Sequence, residues 1–404
     1  MPSAVIVDVV RTGSGRGKPG GGLSRVHPAT LLATALLALM DRTDTDPALV
    51  DDVIAGCVTQ SGEQTHNIGR TALLAAGLPE SIPATTIDRQ CGSSQQAMHF
   101  AAQGVIAGAY DVVIACGVES MSRVPMFSSA QGMDANVGPI RLRYPHGLVQ
   151  QGISAELIAA EYKLSRDALD EFAARSHRLA AAATIGGAFA DEIIPVRLDD
   201  ERDVVFDRDD SDVVFDRDET IRPSTTVAGL ADLPPAFRDA ALSRRFPQIG
   251  WSVTAGNSSP LTDGASAALI MSEESAVRLG LRPRARFHAF AVVGSDPLLM
   301  LTGPIAATER VLRRGGLTID DIDAFEVNEA FASVPLAWQA RFSVDPDRLN
   351  PRGGAIALGH PLGASGTRIL ATMINYLEST GGRYGLQTMC EGGGMANATI
   401  IERL

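Results

Sequence analysis

TTIDRQCGSSQQAMHFAAQ (Thr85–Gln103) runs from a β-branched stretch through a turn into a helix-forming stretch, with a cysteine at the junction. Thr85–Ile87 has strand chemistry, Gly92 breaks the pattern, and Ser93–Ala107 reads as a helix. Cys91 therefore sits at a helix N-terminus, where the macrodipole favours an anion, and its thiol is expected to be drawn toward thiolate. The commonplace alternative is a buried core cysteine. It suits Cys57 in VIAGCVTQ and Cys116 in VVIACGVES, both inside apolar strands, better than Cys91 between Arg89, Gln90, Gly92 and Ser93.

Two further glycine-rich breaks lie far along the chain. GHPLGASG (Gly359–Gly366) holds His360 ahead of the helical TRILATMINYLE, and LQTMCEGGGMANATI (Leu386–Ile400) holds Cys390. EGGG has almost no side chains to crowd a ligand, and its amides are free to point at an anion. His99 is not a candidate base for Cys91, since eight residues along the same helix amount to about 12 Å at ~1.5 Å each. His360 is the better candidate because of its loop, and Asn328 in EVNEAF stands at a strand end. Two thiols and an imidazole suit chemistry in which a carbanion is made or quenched.

Around these breaks, short β-branched runs alternate with amphipathic helical stretches, the pattern of a layered α/β fold. Ala4–Val10, Asp111–Ser120, ASAALIMSE and ARFHAFAVVG read as strands. Pro28–Met40, Ser93–Ala107, Pro304–Arg314 and Thr367–Glu378 read as helices, and LQTMC with ANATIIERL reads as a closing strand pair. A helix with Ser165 as N-cap is expected to end at Gly186–Gly187. Three units follow: residues 1–118, an α/β half carrying Cys91; 119–254, a loop domain; and 255–404, an α/β half carrying His360 and Cys390. The repeated strand–turn–helix junction suggests an internal duplication.

The chain has 404 residues, 45% hydrophobic and 20% charged, enough for two or three well-filled cores. A net charge of −12 argues against nucleic acid as a partner. The acidity is local, because eleven acidic residues between Asp199 and Glu219 face only Arg202, Arg208 and Arg217. Within that segment DVVFDRDDS (Asp203–Ser211) is followed directly by DVVFDRDET (Asp212–Thr220), a tandem copy. It lacks the glycine of a calcium-binding loop, and an extended, solvated hairpin is the expectation. No run approaches a membrane span, the N-terminus lacks the basic start and apolar core of a secretory signal, and a cytoplasmic protein is expected. Four cysteines without metal-ligand spacing are expected to be reduced thiols, with no metal site. GRGKPG (Gly15–Gly20) fits GxGxxG, but Pro19 and the next glycines separate it from any helix, so no dinucleotide site is expected.

DRQCGSS, DETIRPSTT, AGNSSPLTDGAS, VNEAF, GGAIALGHPLGASG and MCEGGG occur in this order across essentially the whole chain and resemble the signature blocks of the thiolase family. DRQCGSSQQA and GGRYGLQTMCEGGG are most similar to thiolases of steroid degradation. The resemblance implies a thiolase fold, two similar α/β halves stacked as five αβαβα layers with an inserted loop domain, and assembly as a homodimer or homotetramer. It also implies an acyltransferase that cleaves 3-oxoacyl-CoA with coenzyme A as co-substrate, releasing acetyl-CoA and a shortened acyl-CoA. No permanently bound cofactor is implied. Carried over block by block, Cys91 is the nucleophile, His360 activates it, and Cys390 exchanges the proton of the carbanion. Asn328 holds a water that helps His360 stabilise the enolate oxygen, and the amides of Cys91 and Gly392 form a second oxyanion hole. Arg222, Ser259, Ala330 and Phe331 fall where the family contacts coenzyme A. Ser94, Gln95 and Gln96 depart from the family's Ser-Gly-Leu, a difference expected to bear on the acyl pocket.

The same residues serve the reverse condensation of two acetyl-CoA. A papain-like hydrolase would use Cys91, His360 and Asn328 but has no use for a second reactive thiol. A decarboxylating ketosynthase would carry histidine where Cys390 stands. A lipid carrier without catalysis leaves the three groups unexplained.

Overall fold

The computed structural model describes residues 3–134, 138–198 and 213–404. In chain order its strands are β1 (Ala4–Thr12), β2 (Gly15–Arg16), β3 (Asp52–Gly56), β4 (Ala84–Ile87), β5 (Val112–Ser120), β6 (Ile193–Ile194), β7 (Val196–Leu198), β8 (Val213–Phe215), β9 (Thr262–Ser272), β10 (Ala285–Gly294), β11 (Ala324–Val327), β12 (Tyr384–Glu391) and β13 (Met395–Arg403). The main sheet has the order β11-β12-β13-β10-β1-β9-β5-β3-β4. Its two halves meet where β1 and β10 pair over only Val5–Arg286 and Ile6–Ala285.

Each half repeats one pattern. β1 pairs antiparallel with β9, β9 antiparallel with β5, and β5 parallel with β3. β10 pairs antiparallel with β13, β13 antiparallel with β12, and β12 parallel with β11. The duplication read from the sequence is thus present in the pairing. The strand following Ala255, β9, belongs to the first half, so the break expected at 254 falls inside that half and the second begins with β10.

Alternation along the strands sorts their side chains into separate cores. Val5, Val7 and Val10 of β1 pack with Leu32, Leu36 and Leu39 of the Pro28–Thr43 helix. Ala4, Ile6 and Val9 face the other way, toward Met98 and Ala101 of the Ser93–Ala107 helix and Leu370 and Ile374 of the Ser365–Thr380 helix. A third core packs Phe325, Leu386 and Ile400 of the second half-sheet on Val311 and Trp338 of two outer helices. The result is five layers, with the Ser93 and Ser365 helices in the middle. Ser165 caps its helix by accepting from the Ala168 amide, and Gly186 ends it.

The second copy of the acidic repeat is not a solvated hairpin. β8 pairs antiparallel with β7, and the Phe215 ring lies so close to Gly22 that a Cβ there would stand 2.3 Å from it. Asp218 is buried and accepts from Arg11 at 2.7 and 3.0 Å and from the Ser14 amide at 2.9 Å. Glu219 accepts from the amides of Arg16 and Gly22. The cations that hold these carboxylates, Arg11 on β1 and Arg16 on β2, come from outside the local charge pattern. Arg11, wholly buried, also bonds Glu192 at 2.7 Å, and Glu192 in turn accepts from Thr372 and Asn375 of the central Ser365–Thr380 helix. The first copy, Asp203–Ser211, lies outside the described residues.

Removing one partner of a buried ion pair leaves the other charge uncompensated. Arg11→Met is expected to cost about 3–5 kcal/mol of stability, read as a fall in the denaturant midpoint. Deleting Asp203–Ser211 is expected to shift it by less than about 0.5 kcal/mol, because the anchors Phe215, Asp218 and Glu219 all lie in the second copy.

Candidate active site

β4 delivers the chain to a tight turn in which Gln90 adopts the left-handed conformation (φ 48°). Ser93 braces this turn: its hydroxyl accepts from the Arg89 amide and donates to the Gln90 carbonyl. Gly92 is the N-cap of the Ser93–Ala107 helix. Cys91 thus stands at the helix N-terminus, as the sequence predicts, but only 4% of it is exposed. Burial pushes its thiol up to about 12, with the Glu391 carboxyl as the next cause, against the pull of the backbone N–H groups of Cys91 and Gly392. The expectation of a depressed thiol pKa is therefore corrected: desolvation among Met121, Leu362, Ile369 and Met389 outweighs the helix terminus.

The His360 loop is fixed from several sides. Gly359 has φ 82°, and a Cβ there would lie 2.7 Å from Thr262, whose hydroxyl accepts from the His360 amide at 3.0 Å. His360 Nδ1 lies 2.6 Å from Ser365 Oγ, and that hydroxyl donates to the Pro361 carbonyl. With its proton committed there, Ser365 Oγ can only accept, so Nδ1 carries the imidazole proton and Nε2 the lone pair. Asn328 Nδ2 donates to Nε2 at 3.3 Å, while Asn328 Oδ1 is buried without a partner. Burial, with Arg368 second, pushes His360 down to about 3. The ring is a neutral base with its acceptor nitrogen directed at Asn328.

Two buried carboxylates clamp this loop to the rest of the fold. Glu119, at the end of β5, accepts from the amides of Gly363, Val58 and Thr59 and from Gln64. Glu329 accepts from Ser176, Asn350 and the Ile356 amide. The Gly363 carbonyl then meets the Cys91 turn. A Cβ at Gly117 would lie 2.1 Å from that carbonyl and 2.9 Å from Ser94, and one at Gly366 would lie 2.1 Å from the Gln95 nitrogen. Thr367 donates its amide to Ser94 Oγ. The two central helices abut end to end through glycine.

Cys390, fully buried on β12, completes the group. Burial holds its thiol well above the ordinary value, and Cys91 is the first electrostatic contributor after that. The structure therefore brings Cys91, Cys390 and the Gly392 amide together, with His360 and Asn328 joined to one another and Leu362, two residues past His360, in the same apolar cluster as Cys91. Gln95 and Gln96 lie buried between the halves: Gln95 donates to Thr399 and to the Gln387 carbonyl. The Ser94-Gln95 part of the departure thus lies at the seam between the halves.

Of the residues expected to touch coenzyme A, three converge. The Ser259 amide donates to the Ala330 carbonyl at 3.0 Å, Ser258 bridges Phe331, and the Phe331 ring meets Phe237 edge-on at 6.0 Å. Arg222 is exposed on a separate segment, its amide donating to His177. Glu119, Thr262, Glu329 and Ser365 escaped the sequence reading. A carboxylate ending the wholly apolar run VVIACGV was the one available sign, since a buried Glu119 demands partners. Among the described residues no cluster of histidine, cysteine and acid side chains suits a metal ion, and no helix is long and apolar enough to cross a membrane.

Comparison with known proteins bears on this arrangement as a whole. The family model of the thiolase N-terminal domain matches residues 4–274, and that of the thiolase C-terminal domain matches 281–403. The chain is 46% identical over 413 residues to the steroid 3-ketoacyl-CoA thiolase FadA6 of Mycobacterium tuberculosis, covering all of this chain and 95% of that one. It is 46% identical over 409 residues to a 3-ketoacyl-CoA thiolase of Serratia proteamaculans, with both chains fully covered. Among solved structures, the acetyl-CoA acetyltransferase of Bacillus anthracis superposes with a TM-score of 0.87 at 36% identity, over 100% of this chain and 99% of that one. With two models dividing the chain as the two half-sheets do, and relatives alike along its full length, the chain belongs to the thiolase family.

Proposed function

We propose that this thiolase cleaves 3-oxoacyl-CoA with coenzyme A through an acyl-enzyme on Cys91. The supporting observation is the meeting of two thiols from opposite half-chains with the Gly392 amide directed at the Cys91 sulfur. His360 Nε2, the unprotonated nitrogen, takes the Cys91 proton. The sulfur attacks the substrate ketone carbon, and the resulting oxyanion is held by donors. The bond between C2 and C3 then breaks: C3 stays on Cys91 as a thioester, and its electron pair leaves with C2 as the acetyl-CoA enolate. Cys390 donates a proton to that carbon. The Cys390 thiolate next accepts the proton of incoming coenzyme A, whose sulfur takes the acyl group, and Cys91 leaves and regains its proton from His360. A covalent intermediate divides one hard step into two easier ones.

Once protonated, His360 turns from base to donor at Nε2, and with Asn328 it serves one developing oxyanion, while the Cys91 and Gly392 amides serve the other. Each such donor is worth on the order of 3 kcal/mol of barrier in acyl transfer. Ser259, Ala330 and Phe331 form the wall along which the coenzyme A chain lies, with Arg222 placed for its polar end. A cavity of about 450 Å³ lined by Ile153, Phe237 and Leu242 adjoins this wall through Phe237. Its wall also carries Gln150, Arg238 and Asp239, and its size, rather than its polarity, supports a bulky acyl group, in keeping with the steroid thiolase among the relatives. A cytoplasmic homodimer or homotetramer is part of the same reading.

Cys91→Ser is expected to abolish both thiolysis and the acyl mass increment on the protein, whereas Cys390→Ala still acquires the increment slowly from an acyl-CoA. Thiolysis by Cys390→Ala equal to the parent would remove the proton-transfer role. Across a panel of 3-oxoacyl-CoAs, bulky ring-bearing acyl groups are expected to give a higher kcat/KM than acetoacetyl-CoA, and the reverse ranking would sink the assignment of the cavity. Ser365→Ala frees the tautomer and tilt of His360, and kcat is expected to fall about 100-fold with little change in KM, the usual cost of misplacing a catalytic group.

A further inference from the structure

Glu391 is the residue between Cys390 and Gly392, and the reaction as described does not use it. Its side chain turns back toward the nucleophile's turn: a Cβ on Gly92 would stand 2.1 Å from Glu391 Oε1 and 2.6 Å from Asn397 Nδ2. The carboxyl is buried, and neither oxygen has a hydrogen-bond partner. Asn397 Nδ2, on the same side of Gly92, donates to the Gly92 carbonyl at 3.0 Å and not to Glu391. The charged and titratable groups around it are Asp88, Arg89 and Cys91 from the turn and Cys390 from its own strand. Across β13 its partner is the uncharged Met395. An ionised carboxylate buried without donors is costly, while a neutral carboxyl is far less so.

The backbone adds a second fact. The Gly392 N–H that reaches the Cys91 sulfur belongs to the Glu391–Gly392 peptide, so a side chain lodged on Gly92 fixes the aim of that donor. From this geometry we infer that Glu391 is a positioning residue which, in its neutral form, wedges the Gly392 amide against Cys91, and which on losing its proton sets a like charge beside both thiols and halts acyl transfer. The inference rests on the thiolase reading of Cys91. Burial pushes Glu391 up to about 8, opposed by Arg89 and aided by Asp88. Below that pH the side chain is neutral, and Cys91 ionises against burial and the more weakly acting Glu119. Above it the carboxylate opposes the thiolate and reactivity falls.

The test needs no substrate: iodoacetamide labelling of Cys91, followed by peptide mass mapping in the full-length protein and its Glu391→Gln variant. Gln keeps the shape and cannot ionise. At about pH 6.5 the two proteins are expected to label at equal rates, and at about pH 9.5 the parent about tenfold more slowly, as for a neighbouring charge that moves a pKa by one. In the thiolysis assay the parent's kcat/KM is expected to fall above about pH 8, and Glu391→Gln to keep its activity there. Glu391→Ala, which has no wedge, is expected to lose kcat at every pH with KM little changed. Infrared difference spectra of the parent are expected to show a protonated carboxyl at neutral pH that Glu391→Gln lacks. Equal labelling of parent and Gln variant at high pH, or no such carboxyl band, would overturn the inference. Loss of thiolysis with the labelling difference intact would instead count against the thiolase reading.

Discussion

The meeting of two helix N-termini at Gly366 is the constraint on which the site depends. Any side chain there would strike the Ser94–Gln95 backbone. The contact holds the Cys91 turn and the His360 loop in one place although 269 positions separate the two residues. Around it, small residues admit close approach: Gly56 and Gly117 on neighbouring strands make room for the Gly363 carbonyl, and Glu119 ties the Gly363 amide to the first half. Removing a methyl-sized clash at each point is what allows two sheets with separate cores to share one reaction centre.

Electrostatics at that centre runs against the isolated-helix expectation. Both thiols are held high by burial and the imidazole is held low, so the resting site carries little charge. Neutral partners in a dry site strengthen every interaction made with a developing oxyanion. The Ser365–Pro361 hydrogen bond does what an acidic residue does in other triads: it selects the tautomer without adding a negative charge beside the base.

Much of this was legible in the sequence because the relevant signals are local. The Ser93–Ala107 helix, the β12–β13 pair, the Ser165 cap and the three glycine-rich breaks are each declared by neighbours within a few residues. What escaped notice depends on partners remote in the chain. The Asp212–Thr220 copy looked solvated because Arg11 and Arg16, about 200 residues away, were not counted against it. The assignment of β9 failed to show because a strand's neighbours are set by pairing and not by chain order. Glu119, Glu329 and Ser365 read as ordinary residues until the loop they hold is in view, and the Cys91 pKa follows from a burial that no linear pattern reports.

The β1–β10 junction carries a mechanical implication. Two backbone pairings weld the half-sheets into one continuous girder, and the Arg11–Glu192 link rivets the girder to the central helix layer. Swinging one half against the other would have to break both links at once.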